Sequence, residues 1–145
     1  MKTIKYYEVC VESFLIFKPD NVDGVVMEKF ERDFYAKPYH NFIANVDSMG
    51  TAKKLLELVF EQYENDIKED KEEIEKLYAV NYDMTIIKKD DESIIFDVPS
   101  YDKEANGNFW KPYTRYNIKY IGRRLYLEES RDYAKIEKLI KGGSE

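Results

Sequence analysis

Cys10 and His40, the single cysteine and the single histidine of this 145-residue chain, are the side chains best suited to nucleophilic catalysis. They would act as nucleophile and general base if the fold brought them together. Cys10, however, lies within a predicted strand, where a thiol is usually an unreactive packing group. His40 stands between Tyr39 and Asn41, outside any motif. The sequence therefore favours structural roles for both residues.

Metal and phosphate chemistry have little support in the sequence. Structural zinc takes about four nitrogen or sulfur ligands, which one cysteine and one histidine cannot supply, so we expect no metal and no cofactor. Carboxylates are abundant. The nearest match to a nuclease pattern, at residues 66–68, falls within a predicted helix and not on a strand, where such a pattern is expected. No glycine-rich phosphate loop is present, because the candidate glycines are isolated: Gly50, Gly107 and Gly122. A carboxylate-dependent enzyme is therefore the third alternative.

Residues 105–127 combine positive charge with aromatic rings. The segment has five basic residues, no acid and six aromatics, and since the whole chain carries −6, the remainder carries −11. Cations interleaved with aromatics suit a ligand that carries phosphates and bases. A hairpin with core tyrosines and solvated cations would give the same pattern. The residues that we expect to bind a ligand or partner are Phe109, Trp110, Arg115, Lys119, Arg124 and Tyr126.

Residues 57–76 form an acidic run with nine acids and three lysines. Most such runs are solvated helix faces with weak i,i+4 ion pairs. The alternative is a negative surface presented to a basic partner, as a nucleic-acid mimic would do. The acidic partner face would then consist of Glu64, Glu69, Glu72 and Glu73.

The N-terminal half of the chain predicts one strand and one long helix as its main elements. Residues 3–17 alternate as a long strand. Residues 25–35 carry a helical apolar stripe and predict a short helix. Residues 39–46 are ambiguous between a loop and a short irregular helix. Residues 48–78 have apolar positions every three or four residues and predict a helix longer than a domain of this size needs.

The C-terminal half predicts two hairpins and a helix. Residues 82–89 and 92–98 alternate around Asp90-Asp91. A second hairpin would turn at Gly122-Arg123, because a type II′ turn favours glycine first. Its register would gather Arg115, Asn117, Lys119, Arg124 and Tyr126 on one face. Residues 130–141 predict a helix, followed by a loose tail at 142–145.

These elements indicate a single α+β domain over residues 1–145. We expect an antiparallel sheet of about five strands, made of the long N-terminal strand and two hairpins, with one long central helix and two shorter helices. The first residues lack the apolar core of a signal peptide, and no run approaches 18 apolar residues. We therefore expect a cytoplasmic protein with no membrane partner.

The leading functional hypothesis is a non-catalytic stoichiometric inhibitor that binds a host or bacterial protein, for example a nucleic-acid-binding defence protein. The lysine-rich, alanine-poor composition is shared with many small phage and mobile-element proteins. It suggests counter-defence in the manner of anti-CRISPR proteins, although no motif carries a family resemblance. The alternative is a module that sequesters a nucleotide or nucleotide signal with the aromatic and basic hairpin. Such binders are often homo-oligomers, with pockets between their subunits.

Overall fold

The computed structural model describes residues 2–19, 32–33, 38–79, 81–100 and 110–127. These residues form one antiparallel sheet and one long helix, so the predicted α+β class is confirmed. The elements in chain order are β1 (Lys2–Pro19), β2 (Arg32–Asp33), β3 (Tyr39–Val46), α1 (Met49–Tyr78), β4 (Thr85–Lys89), β5 (Ser93–Pro99) and β6 (Trp110–Leu127).

Strands β1 and β6 form the centre of the sheet. Each has 18 residues, and they pair antiparallel from Lys2 opposite Leu127 to Pro19 opposite Trp110. The strand order is β2-β1-β6-β5-β4, and β3 also pairs with β1. One edge of β1 therefore contacts β6, while its other edge contacts β3 and β2 at different positions along its length.

The predicted second hairpin is wrong. Gly122 lies within the uninterrupted strand β6 and pairs with Tyr7 of β1, so the chain does not turn at Gly122-Arg123. Two residues with a local turn preference compete here with an 18-residue ladder to β1, and the longer ladder determines the conformation. The four-strand meander that included this hairpin is therefore replaced by a sheet centred on β1 and β6.

Two other predicted segments differ from the structure. Residues 39–46 form strand β3, which pairs with β1. Arg32 and Asp33, assigned to a short helix over 25–35, form β2 opposite Phe17 and Ile16. The rest of that predicted helix, the predicted helix over 130–141 and the tail at 142–145 lie outside the described residues. The described part of the chain contains one helix, so the count of two shorter helices is not supported.

Local sequence signals fix the ends of α1, which was predicted correctly. Ser48 is the N-cap in extended conformation, and its Oγ accepts a hydrogen bond from the backbone N–H of Thr51 at 3.2 Å. At the other end Ala79 is left-handed with φ 53°, and its N–H donates to the Glu75 carbonyl at 3.1 Å. The β4–β5 hairpin is also confirmed, with Asp90 Oδ1 accepting from two turn N–H groups.

The core lies between α1 and one face of the sheet. Rings from the helix and the strands form an aromatic cluster, in which Phe96 packs edge-on against Phe60 and Tyr63 at 5.6 Å and stacks on Tyr116 at 5.1 Å. The buried residues of α1 are Ala52, Leu56, Phe60 and Ile67. Because none follows Ile67, the first part of the helix anchors it and the last eleven residues lie more exposed.

Candidate functional site in the polar clusters and the acidic helix

The alternation of β6 divides the predicted binding face. Successive side chains of a strand point to opposite faces, and the pairing of β6 with β1 shows no irregularity. Arg115 and Lys119 therefore lie on the face away from α1, here called the far face. Arg124 and Tyr126 lie on the face that α1 packs against, so the prediction that all four share a face is wrong. Trp110 belongs to β6 by pairing, while its side chain and Phe109 lie outside the described part.

Asp97 is the centre of a buried ion cluster on the far face. Its side chain is 0% exposed, and it accepts hydrogen bonds from Arg115 Nε at 2.8 Å and Nη2 at 2.9 Å. Lys18 Nζ lies 2.5 Å from the same carboxylate and 4.9 Å from the centre of the Tyr113 ring. The three charged residues belong to β5, β6 and β1, so the cluster joins neighbouring strands. A carboxylate that is buried away from water needs cations and hydrogen-bond donors of this kind to offset its desolvation.

Sequence reasoning missed both Asp97 and Lys18. The available signal was one acid within the apolar run 94–98, at the position opposite in phase to Ile94, Phe96 and Val98. An acid in that setting indicates a buried ion pair or a functional carboxylate. Because Arg115 is committed to this carboxylate, its expected role as a ligand-binding residue is not supported by the geometry.

A second cluster on the far face consists of Glu8, Glu12, His40, Lys119 and Arg123. Lys119 Nζ lies 2.9 Å from Glu12 Oε1, and Arg123 Nε lies 3.4 Å from Glu8 Oε1. His40 is placed between the two acids, with Nε2 at 3.1 Å from Glu8 and Nδ1 at 3.6 Å from Glu12. The hydrogen bond from Lys119 lowers the pKa of the Glu12 carboxyl. Cations of β6 are thus balanced by acids of β1.

Cys10 lies next to this cluster, so the fold does bring the cysteine and the histidine together. One ligand atom from each of Glu8, Cys10 and His40 lies within 4.8 Å of the other two. The thiol is fully buried, and this burial, with Glu8 as the next cause, raises the pKa of Cys10 to about 11. A thiol with this pKa is protonated at neutral pH, which disfavours a role as nucleophile.

We expect Cys10 to react at least about tenfold more slowly with iodoacetamide at pH 7.5 in the native chain than in urea. Burial blocks access, and the raised pKa leaves little thiolate. Because this is the only cysteine, mass spectrometry of the intact chain reports its labelling directly. The native rate should rise as the pH approaches 11. If the native chain is labelled at neutral pH as fast as the chain in urea, Cys10 is not a buried and protonated thiol.

The acidic partner face is divided between two sides of α1. Glu69, Glu72 and Glu73 are exposed and, at 3.6 residues per turn, lie on the side opposite Ile67 and away from the sheet. None of these three forms an ion pair with another described residue. Glu64 faces elsewhere, and its Oε1 lies 4.0 Å from Lys68 Nζ. The outward stripe of α1, defined as Glu69, Glu72 and Glu73, is therefore a negative surface whose acids form no ion pairs within the described part of the chain.

A shallow groove of about 280 Å³ lies on the other side of α1. Apolar wall residues include Ile67, Met84 and Ile86, and Lys71 binds Asp83 at its rim. Ligand sites usually enclose roughly 300–1,000 Å³. The groove is therefore just below that range. The residues that line it are Glu64, Ile67, Lys68, Lys71, Tyr82, Asp83, Met84 and Ile86.

Comparison with known proteins adds no relative. The sequence matches no family model, and neither the curated proteins nor the solved structures give a significant match. Within the described residues, no helix is both long enough and apolar enough to cross a membrane.

Proposed function

We propose that this chain is a non-catalytic, stoichiometric binding protein whose outward stripe on α1 contacts a basic surface of another protein. One observation carries the proposal: Arg115, Lys119 and Arg123 of β6 pair with acids on β1 and β5. The acids of the outward stripe remain exposed and unpaired among the described residues. Negative charge on α1 is therefore available to an external partner.

The helix presents this charge just beyond the part of α1 that is anchored to the sheet. Its 30 residues span about 45 Å, and its buried residues fasten the first two thirds to the sheet. Residues 57–76 carry a net charge of −6. A surface of one sign accelerates encounter with a surface of opposite sign and lowers the affinity for proteins of like charge.

Apolar side chains beside the charge supply contact area. Leu58 is 58% exposed and Leu77 is 64% exposed, and both belong to α1. Leu58 lies 11 residues before the outward stripe and Leu77 lies four residues after it, so the two leucines flank the stripe along the helix. They add apolar contacts at its two ends. The matching partner is a protein with a central patch of lysines and arginines, as in many proteins that hold nucleic-acid backbones. Inhibition of such a host or bacterial protein is the counter-defence, anti-CRISPR-like role that the composition suggests.

Nucleotide sequestration has weaker support. The residues intended to line the pocket lie on two faces of β6, and Arg115 and Lys119 are already bound to carboxylates. Quenching of the single tryptophan by a nucleotide panel tests this alternative. A carboxylate-dependent enzyme has the least support, since the buried Asp97 is enclosed by Lys18 and Arg115.

The triple variant Glu69→Lys, Glu72→Lys and Glu73→Lys should weaken partner binding at least about tenfold, mainly through slower association at low salt. Lysine and glutamate have similar helix propensities, so α1 should be retained. The chain would be immobilised, its partner recovered from bacterial lysate and identified, and the affinity then measured with the purified partner by surface plasmon resonance.

A matched control reverses three exposed acids outside α1, namely Asp47, Asp91 and Glu92. Both variants shift the net charge by the same amount, so a general charge effect would weaken them equally. We expect the control to bind within about twofold of the unmodified chain, because its charges lie outside the proposed contact. Equal affinities of the two variants, or recovery of no specific partner, would reject the proposal.

A further inference from the structure

Three chemically different ligand groups converge where β3 pairs with β1. Glu8 and Cys10 lie two residues apart on β1 and share the far face. His40 of β3 is opposite Glu12, and its ring reaches back between the two glutamates. The carboxylate, thiol and imidazole atoms lie within 4.8 Å of one another. Distant parts of the sequence thus form one compact donor set.

The donor set matches the preference of zinc for sulfur, nitrogen and oxygen. Bond lengths of about 2.0–2.3 Å place two ligands of tetrahedral zinc roughly 3.3–3.8 Å apart. The ligand atoms are now up to 4.8 Å apart. Side-chain rotations that move each atom by about 1 Å would close this difference. The His40 side chain is 44% exposed, so an ion has access from that side and one position remains for water. Three protein ligands with water in the fourth position is an established coordination of zinc in proteins.

Neighbouring groups already orient these ligands. Arg123 contacts Glu8 Oε1, which leaves Oε2 towards His40. Glu12 lies beside His40 Nδ1 and is itself held by Lys119. A carboxylate behind the second imidazole nitrogen is a recurrent feature of metal-binding histidines, because it fixes the ring and increases its basicity.

Asn45 lies on the same pair of strands as the three ligand groups. It pairs with Glu8 in the sheet register, and its buried side-chain oxygen has no hydrogen-bond partner among the described residues. Buried polar atoms are nearly always satisfied by protein or water. The orphan oxygen therefore marks the same strand pair as the three ligand groups.

We propose that Glu8, Cys10 and His40 bind one divalent transition-metal ion, and that zinc is the ion that fits best. On binding, a metal–sulfur bond forms and the thiol proton passes to solvent, with no change in oxidation state. The sequence predicted no metal because a four-ligand structural site was impossible. The proposed site needs only three protein ligands, which two neighbouring strands bring together.

Cobalt titration of the tag-free full chain tests the proposal. One equivalent of Co²⁺ should produce a thiolate-to-cobalt charge-transfer band, which must come from Cys10 because no other cysteine exists. Zinc should displace cobalt and raise the melting temperature, since it binds the native state. Cys10→Ser should abolish the band.

Two matched pairs of variants separate ligands from neighbours. His40→Ala and Glu8→Gln should each weaken cobalt binding at least about tenfold. The controls Tyr39→Ala, beside His40, and Glu92→Gln, an exposed carboxylate elsewhere, should bind cobalt as the unmodified chain does. Circular dichroism of each variant confirms folding, and His40→Ala keeps the test decisive if Cys10→Ser unfolds.

Absence of the charge-transfer band in the unmodified chain at excess cobalt would overturn the proposal. So would equal affinities of His40→Ala and Tyr39→Ala. The triple lysine variant of α1 should bind cobalt normally, because the two sites lie on opposite faces of the sheet. Failure of the metal site and failure of the partner site can thus be distinguished.

Discussion

Replacing Asp97 by asparagine should lower the free energy of unfolding by about 3–5 kcal/mol, a large share of the stability of a small domain. The substitution keeps the shape of the side chain and removes its charge. Lys18 and Arg115 then remain beside a neutral amide, and neither cation has free access to water because their side chains are only 5% and 14% exposed. Urea unfolding followed by circular dichroism measures the difference.

Asp91→Asn is the matched control for Asp97→Asn. Asp91 is 83% exposed and lies 3.8 Å from Lys53, so we expect a change below about 1 kcal/mol. Adding Lys18→Met to Asp97→Asn should recover part of the loss, because it removes one buried charge. If Asp97→Asn changes stability no more than the control, the buried cluster does not hold the three strands together.

Phe96→Ala is the second substitution expected to have a large effect, lowering the free energy of unfolding by about 3–5 kcal/mol. Phe96 is fully buried and contacts Phe60 and Tyr63 of α1 as well as Tyr116 of β6. Its removal leaves a cavity at the junction of helix and sheet. Besides the loss of stability, hydrogen exchange over residues 56–67 should become faster, because this ring anchors that part of α1.

The control for the core variant is Ile86→Ala. Ile86 is 49% exposed on β4, so its truncation should cost about 1 kcal/mol or less. Mass spectrometry of hydrogen exchange compares the two variants directly. If Phe96→Ala destabilises the chain while exchange in α1 stays unchanged, the helix is held by contacts other than the aromatic cluster.

Local signals account for the elements that the sequence predicted correctly. Ser48 caps α1, apolar residues recur along it at helical spacing, and Asp90 supplies the turn of the β4–β5 hairpin. Each of these signals acts within a few residues. The α+β class follows from them, because a long amphipathic helix and alternating strands must bury their apolar faces on one another.

Long-range pairing explains the elements that were predicted wrongly. Gly122 has a turn preference, yet β1 offers β6 a continuous partner. Strand β3 contains an extra residue, Ile43. Its neighbours Ala44 and Phe42 pair with the consecutive β1 residues 9 and 10, and Ile43 has no partner of its own in that pairing. This bulge breaks the period of two that identifies a strand. Neither effect is visible in the segment itself.

The candidate sites also differ in whether local sequence patterns predict them. Glu69, Glu72 and Glu73 follow from helical spacing, so their common exposure could be predicted. The proximity of Cys10 and His40 depends on which strand pairs with β1 and in which register, and neither is encoded locally. The grouping of residues from distant segments therefore cannot be predicted from local sequence patterns.

The long ladder between β1 and β6 also determines when the chain can fold. Its paired residues are separated by at least 91 positions, from Pro19 to Trp110. During synthesis β1 leaves the ribosome well before its main partner exists, with Val9, Val11 and Ile16 not yet covered. Pairing of such high sequence separation is slow, and an unpaired apolar strand is prone to aggregate. Folding of the central sheet must wait until β6 is made, and a chaperone that shields β1 in the interval would raise the yield of native protein.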